Sequence, residues 1–166
     1  MAQATTKDWL DGIQKGLLQQ LTENKRALPK GFNQDRFILN SITVIRDMLR
    51  DSKKKKQLQE IDYTSIPICL AKGAFLGLDF FNGECYAIPY GGEMKFQTDY
   101  KGEIKLCKRY SKNEIKDIFA KVVREGDFFE ESVDSGVQNV VYKPLPFSNK
   151  PLVGAFAIVV FKDGSM

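Results

Sequence analysis

Three features of the sequence predict an α+β fold for this chain of 166 residues. Apolar residues recur at helical spacing over most of residues 8–76, and short β-prone runs separated by turn residues follow residue 113. Between these regions, two short alternating runs flank a Gly-Gly turn, which is typical of a hairpin. We therefore expect N-terminal helices, a β-hairpin followed by a basic helix, and then a mainly antiparallel sheet.

The first two predicted helices carry clear apolar stripes. The first covers residues 8–27 and ends before Pro29, which lacks a backbone donor. The second covers residues 34–51, with Asn33 as its N-cap. We expect the four lysines at residues 53–56 to close this second helix, because cations suit the negative end of a helix dipole.

A third helix and a hairpin follow. The helix is predicted over residues 65–76 with Ser65 as its N-cap. The hairpin strands are predicted at residues 85–89 and 93–97, joined around Gly91-Gly92, which can supply positive φ angles.

A fourth helix is predicted over residues 99–110, and strands dominate the remainder of the chain. These strands are predicted at residues 115–124, 127–131, 138–142 and 153–161. The last strand runs into an Asp-Gly turn shortly before the sequence stops, and we expect the chain to be truncated there.

The composition narrows the classes of function. The chain has no histidine, which excludes His-based zinc sites, Ser-His-Asp triads and Cys-His nucleophile pairs. Cys69, Cys85 and Cys107 form no CxxC motif, so we expect reduced, mostly buried thiols. Phosphate-binding and dinucleotide-binding glycine motifs are missing, as are a signal peptide and an apolar run of about 18 residues. These observations favour a cytosolic binding protein over an enzyme.

The excess of positive charge is local. Between residues 95 and 112 the cations outnumber the two anions by four, which equals the net charge of +4 of the whole chain. Lys101, Lys105, Lys108 and Lys112 follow helical spacing and would form one stripe of like charges. A polyanion laid along the stripe would relieve their repulsion. The alternative interpretation is an ordinary solvated helix face.

Aromatic residues accompany these cations, as single-stranded nucleic acid requires, because bases stack on rings while phosphates pair with cations. The interleaved residues are Tyr86, Tyr90, Lys95, Phe96, Gln97, Tyr100 and Lys101. The alternative is that the rings are half-buried strand residues, an interpretation that we favour for Phe96.

Two other charged groups have competing interpretations. The lysines at residues 53–56 form either a solvated helix end or a patch for nucleic acid or a protein partner. Asp127, Glu130, Glu131 and Asp134 could be metal ligands of a nuclease, but no lysine stands at the spacing of a nuclease motif.

The hairpin and the helix after it resemble the RecT / Red-beta family of single-strand annealing proteins, which are recombinases of phages and prophages. The resemblance rests on Tyr86-Ala87-Ile88-Pro89-Tyr90-Gly91-Gly92, then Phe96-Gln97, then Tyr100-Lys101-Gly102-Glu103-Ile104. Further similar segments are Leu76-Gly77-Leu78, Val122-Val123-Arg124-Glu125-Gly126-Asp127-Phe128 and Lys143-Pro144. The similarity covers residues 66–164, whereas residues 1–60 match only in being helical.

The resemblance implies a protein that binds single-stranded DNA and anneals it without ATP, in rings or helical filaments with a basic groove. No cofactor is implied, and a need for Mg²⁺ stays open. The residues implied at the groove are Lys72, Lys95, Gln97, Tyr100, Lys101, Lys105, Lys108, Arg109 and Arg124. Residues 1–62 would supply subunit contacts, and residues 63–166 would form the annealing core.

The resemblance also implies partners and a location. In this family, a later segment docks the partner exonuclease and the host single-strand-binding protein, and we expect that segment to be absent here. The implied location is the cytoplasm of a bacterial host. Three alternatives remain: a single-strand binder without annealing activity, a metal-dependent nuclease using Asp127 and Glu130, and a purely structural assembly protein.

Overall fold

A computed structural model describes residues 6–165, apart from the side chain of Val137. The helices are α1 (Thr6–Glu23), α2 (Gln34–Arg50), α3 (Ser52–Glu60), α4 (Ser65–Leu76) and α5 (Tyr100–Tyr110), with a short 3₁₀ turn at Lys25–Ala27. The strands are β1 (Cys85–Tyr90), β2 (Glu93–Thr98), β3 (Ile115–Arg124), β4 (Phe128–Asp134), β5 (Val137–Lys143) and β6 (Leu152–Phe161). All strand pairs are antiparallel, so the predicted α+β class is confirmed.

The chain forms two compact units, Met1–Leu106 and Cys107–Met166, and their boundary falls inside α5. The functional division predicted at residue 62 concerns subunit contacts and remains a prediction. Across the described residues, no helix is long and apolar enough to cross a membrane.

The core of the first unit is helical. Helix α1 packs against α2 and α4, and α4 also packs against β2. Its fully buried aliphatic side chains include Ile13, Leu17, Leu21, Ile45, Ile66 and Leu70. Burying each such side chain contributes about 1.5–3 kcal/mol, so this cluster supplies much of the stability of the first unit.

The lysines at residues 53–56 do not close the second helix, contrary to the prediction. Helix α2 ends at Arg50, and Asp51 is the N-cap of the separate helix α3, which begins at Ser52. The Asp51 carboxylate accepts hydrogen bonds from the backbone N–H groups of Lys53 (2.9 Å) and Lys54 (3.0 Å). Aspartate is a favoured N-cap, and here its extended backbone breaks one helix and starts the next.

Ser65 has a different role from the predicted cap. It is the first residue of α4, and the N-cap position belongs to Thr64, whose side chain makes no capping bond. The Ser65 hydroxyl donates to the Asp62 carbonyl (2.5 Å) and accepts from the Met94 N–H (2.8 Å). Ser65 therefore ties the start of α4 to the hairpin.

In the second unit, β3 pairs with β6 and β4 pairs with β5. The predicted strands are confirmed, but they form two separate two-stranded ribbons instead of one larger sheet. Among the side chains described in this unit, only Val123 is buried, so little apolar surface is removed from water there.

Candidate nucleic-acid interface

The β1–β2 hairpin presents one face to solvent. Its register places Tyr86 opposite Gln97 and Ile88 opposite Lys95, and Tyr90, the last residue of β1, lies opposite Glu93. The side chains of Tyr86, Ile88, Tyr90, Lys95 and Gln97 are exposed, and Tyr90 is 75% exposed. Directly opposed side chains lie about 4.5–5.5 Å apart at Cβ, so rings on one strand adjoin polar groups on the other. We call these five residues the hairpin face.

The glycines of the turn account for the tight hairpin connection, and the buried side chains on the opposite side of the hairpin attach it to the core. Gly91 and Gly92 have φ angles of 61° and 79°, as a two-residue turn matched to strand twist requires. Ala87 and Met94 point into the core, and Phe96 packs edge-on against Phe80 with ring centroids 6.1 Å apart. The interpretation of Phe96 as a half-buried strand residue is therefore correct.

Glu84 positions α5 beside the hairpin, and sequence reasoning missed it. Its carbonyl accepts from the Asp99 N–H (3.0 Å), and its carboxylate accepts from the Asp79 N–H (2.8 Å). The Lys105 ammonium donates to both carboxylate oxygens, at 2.7 and 2.9 Å. Nothing in the local pattern marks this acid, because its ionic partner is distant in sequence.

The same residue explains the glycine of the Tyr-Lys-Gly segment. A Cβ atom on Gly102 would lie 2.1 Å from the Glu84 carbonyl oxygen, which is far inside van der Waals contact. Gly102 is buried at this contact, so α5 can approach the start of β1 only with glycine at this position.

The first turn of α5 continues the exposed surface. Tyr100 is 66% exposed, and the Lys101 Nζ lies 5.9 Å from the centre of its ring. Asp99 accepts from the Lys101 N–H and from the Tyr86 hydroxyl, both at 3.2 Å. The hydrogen bond from the Tyr86 hydroxyl to Asp99 and the negative charge of Asp99 raise the pKa of Tyr86. Asp99 therefore organises the start of α5 and joins it to the hairpin face.

The remaining residues implied at the groove are distributed over both units. In the first unit, Lys72 is exposed on α4, and Lys95 forms an ion pair with Glu93 at 2.5 Å. In the second unit, the Lys108 Nζ lies 3.4 Å from an Asp117 oxygen.

The two arginines implied at the groove also have neighbours in the second unit. The Arg124 guanidinium donates to the Lys150 carbonyl (2.6 Å), and Arg109 lies 5.9 Å from the Tyr110 ring centre. Because α5 ends at Tyr110, Lys112 lies beyond the helix, and the predicted four-lysine stripe is shorter than expected.

Carboxylates therefore offset part of the positive charge that the sequence places around α5. Glu93, Glu84 and Asp117 lie against Lys95, Lys105 and Lys108 respectively. All three acids lie outside residues 95–112, so the charge count over that segment does not include them.

Asp127 organises loops of the second unit. Its carboxylate accepts from the N–H groups of Leu145 and Arg124, each at 2.9 Å, and from the Tyr142 hydroxyl at 3.1 Å. These bonds, led by the one from Leu145, lower the pKa of Asp127. Within residues 6–165 there is no group of three acidic or cysteine side chains that could hold a metal ion.

Two of the three cysteines are buried, as predicted. Burial raises the pKa of both Cys69 and Cys85 to about 12, and neither forms a disulfide. Cys107 is exposed on α5 and is the exception within the predicted pattern of mostly buried thiols.

Comparison with known proteins gives one clear result. The RecT family model matches residues 35–166, which begins within α2 and therefore earlier than the similarity recognised in the sequence. A comparison with curated proteins finds no significant match. Because the match covers most of the chain, this protein belongs to the RecT family.

Proposed function

We propose that this protein binds single-stranded DNA and anneals complementary strands without ATP, in homologous recombination of the phage type. The RecT family is known for annealing single-stranded DNA in recombination. The observation that carries the proposal is the hairpin face, which sets exposed rings beside a lysine and an amide and adjoins Tyr100 and Lys101.

The spacing of the hairpin face suits a nucleic acid strand. Alternate residues of a strand lie about 6.8 Å apart, which is about twice the 3.4 Å per nucleotide along one DNA strand. Tyr86, Ile88 and Tyr90 therefore offer an apolar surface at every second base, while Lys95 and Gln97 on β2 can contact the backbone.

Annealing by this surface needs no bond chemistry. Cations of the interface reduce the repulsion between two phosphate backbones, and exposed rings hold bases without reading their identity. Specificity then comes from Watson–Crick pairing between the strands. We propose that the working form is a homo-oligomer, a ring or helical filament in the bacterial cytoplasm, with its DNA running across subunits.

The other implied partners and residues are part of this proposal. An exonuclease and a host single-strand-binding protein are the further protein partners that the resemblance implies. No cofactor is required for the proposed annealing, and Mg²⁺ dependence is a question for the assay. Lys72, Lys108, Arg109 and Arg124 are proposed as further DNA contacts.

An annealing time course tests the proposal. Two complementary oligonucleotides are mixed without ATP, with and without Mg²⁺, and duplex formation is followed in the presence of the parent chain or a variant. We expect the parent to accelerate annealing, and Tyr90→Ala combined with Tyr100→Ala to remove most of the acceleration. Tyr110→Ala is the matched control, because Tyr110 is as exposed as Tyr100 and also lies near a cation.

The salt dependence of binding gives a second measurement. Lys101→Gln should reduce the slope of log K against log salt by about 0.7, the value for one phosphate contact on a single strand. Tight binding without acceleration would favour a single-strand binder whose bases stay stacked on the hairpin face. Absence of any binding would refute the proposal.

A further inference from the structure

The four consecutive lysines at residues 53–56, here called the lysine run, are not used by the proposed interface. All four side chains are exposed on the first turns of α3. Among the residues that the structure describes, none of their ammonium groups forms a salt bridge or hydrogen bond. By contrast, nearby Arg50 is paired with Asp47 at 2.9 Å, and Lys95 is paired with Glu93.

The lysine run begins at the end of α3 that is unfavourable for cations, where the N-cap Asp51 is the nearby carboxylate. Cations are unfavourable at the positive end of a helix dipole, and the first turn of α3 contains no acidic residue. The helix amides are already occupied, because Asp51 accepts from the N–H groups of Lys53 and Lys54. The groups left for an external ligand are therefore the four ammonium side chains, and an extended polyanion would neutralise all of them.

The lysine run is connected to the hairpin within the first unit. The Asp62 N–H, just after α3, donates to the Gly92 carbonyl in the hairpin turn at 2.8 Å. With a rise of about 1.5 Å per helical residue and about 3.5 Å per extended residue, Lys53 lies within about 20 Å of this turn. At about 3.4 Å per nucleotide, a strand of about six nucleotides covers that distance.

An aromatic residue also lies beside the lysine run. Lys55 lines a pocket of about 140 Å³ together with Trp9, Leu58 and Gln59. A cation, an indole ring and an amide form the combination that a single-stranded nucleic acid uses for its phosphates and bases. An acidic peptide would be attracted by the charges but would not need the ring.

We propose that the lysine run is a second phosphate-binding surface, which holds the part of a DNA strand that extends about six nucleotides beyond the hairpin face. This inference rests on the proposed function, because the hairpin face provides the first contact with the strand. The second surface lengthens the bound segment and adds affinity that depends on strand length and salt.

The test compares two variants that lose the same charge. The run variant is K53Q/K54Q/K55Q/K56Q. The control variant is K15Q/K25Q/R26Q/K30Q, whose four residues are exposed elsewhere in the first unit. Binding of fluorescein-labelled oligothymidines is measured by anisotropy across a salt series, with strands of about five and about 20 nucleotides bracketing the estimated span.

For the longer strand, we expect the run variant to bind at least tenfold more weakly than the control variant. For the run variant, the slope of log K against log salt should be smaller than that of the control variant by about 1.4–2.8, which corresponds to two to four phosphate contacts. For the shorter strand, the two variants should bind equally. Because Trp9 is the only tryptophan of the chain, its fluorescence should respond to the longer strand in the control and not in the run variant.

Several outcomes would overturn the inference. Equal losses in the two variants would mean that the lysine run contributes only net charge, and competition by polyglutamate as effective as by DNA would indicate an acidic protein partner. If Tyr90→Ala weakens binding while the run variant does not, the inference fails and the proposed function stands. If the parent binds no strand, both fail. Thermal unfolding checks that the run variant folds, and its midpoint should not fall below that of the parent.

Discussion

Replacement of Lys105 separates its structural role from a role in DNA binding. The resemblance places Lys105 at the DNA groove, whereas the structure pairs its ammonium with both oxygens of Glu84. The Glu84 side chain is only 17% exposed and the Lys105 side chain is 39% exposed. Lys105→Met removes the charge and keeps most of the packing, so that Glu84 retains only the Asp79 N–H as a donor.

The expected loss lies between two limits. Exposed ion pairs contribute about 0.2–1 kcal/mol, and removal of one partner from a fully buried pair costs about 3–5 kcal/mol. Because Lys105 is partly in water, we expect Lys105→Met to lower the free energy of unfolding by about 1.5 kcal/mol. For a chain of this length, that loss lowers the thermal midpoint by about 3–6 °C.

A double-mutant cycle measures the pair itself. Thermal and urea unfolding are recorded for Lys105→Met, Glu84→Gln and the double variant, and we expect a coupling energy of about 1 kcal/mol. Lys101→Met is the matched control, because Lys101 is exposed and its ammonium contacts a ring instead of a carboxylate; its effect on stability should stay within about 0.5 kcal/mol.

DNA binding completes the comparison. At a temperature where all variants are folded, Lys101→Met should weaken single-strand binding more than Lys105→Met, because the Lys105 ammonium must leave Glu84 to reach a phosphate. The reasoning is refuted if Lys105→Met leaves stability unchanged and weakens binding as much as Lys101→Met does.

Three further predictions concern the fold. Gly102→Ala should destabilise the first unit by about 1–3 kcal/mol in urea unfolding, because its Cβ would overlap the Glu84 carbonyl oxygen; unchanged stability would contradict this close approach. At pH 8, a thiol reagent should modify one cysteine in the native chain, the exposed Cys107, and all three after denaturation; rapid labelling of three native thiols would show that the other two are not protected by burial. The pKa of Asp127 is below the unfolded value of 3.8, so the stability that Asp127 contributes is fully present above pH 3.8 and is lost as the pH falls through the lower folded pKa. Asp127→Asn should therefore weaken the acid dependence of unfolding and speed hydrogen exchange at the Leu145 amide. An acid transition that is unchanged in this variant would contradict the role of Asp127.

Local sequence determined most of the secondary structure. Apolar periodicity predicted the helices at residues 34–51 and 65–76, and the paired glycines predicted the hairpin turn, because these features depend on neighbours a few residues apart. The end of the second helix differed from the prediction, because the sequence around Asp51 is compatible with more than one helix boundary. Asp51 could stand at the end of one helix or at the start of another. Its carboxylate accepts hydrogen bonds from two backbone N–H groups of the following residues, and these bonds stabilise the start of a new helix.

Sequence patterns also predicted the candidate interface, but only tertiary structure decided the surroundings of its charges. The order of tyrosines, lysines and glycines from residue 86 to residue 104 is a local property and was sufficient to indicate the RecT family. That Lys105 is held by Glu84, and that Gly102 is required by the carbonyl of the same residue, depends on a contact between distant segments. Such contacts decide which cations are available to a phosphate, because the field around a charge depends on its nearest neighbours in space and not on its neighbours in sequence.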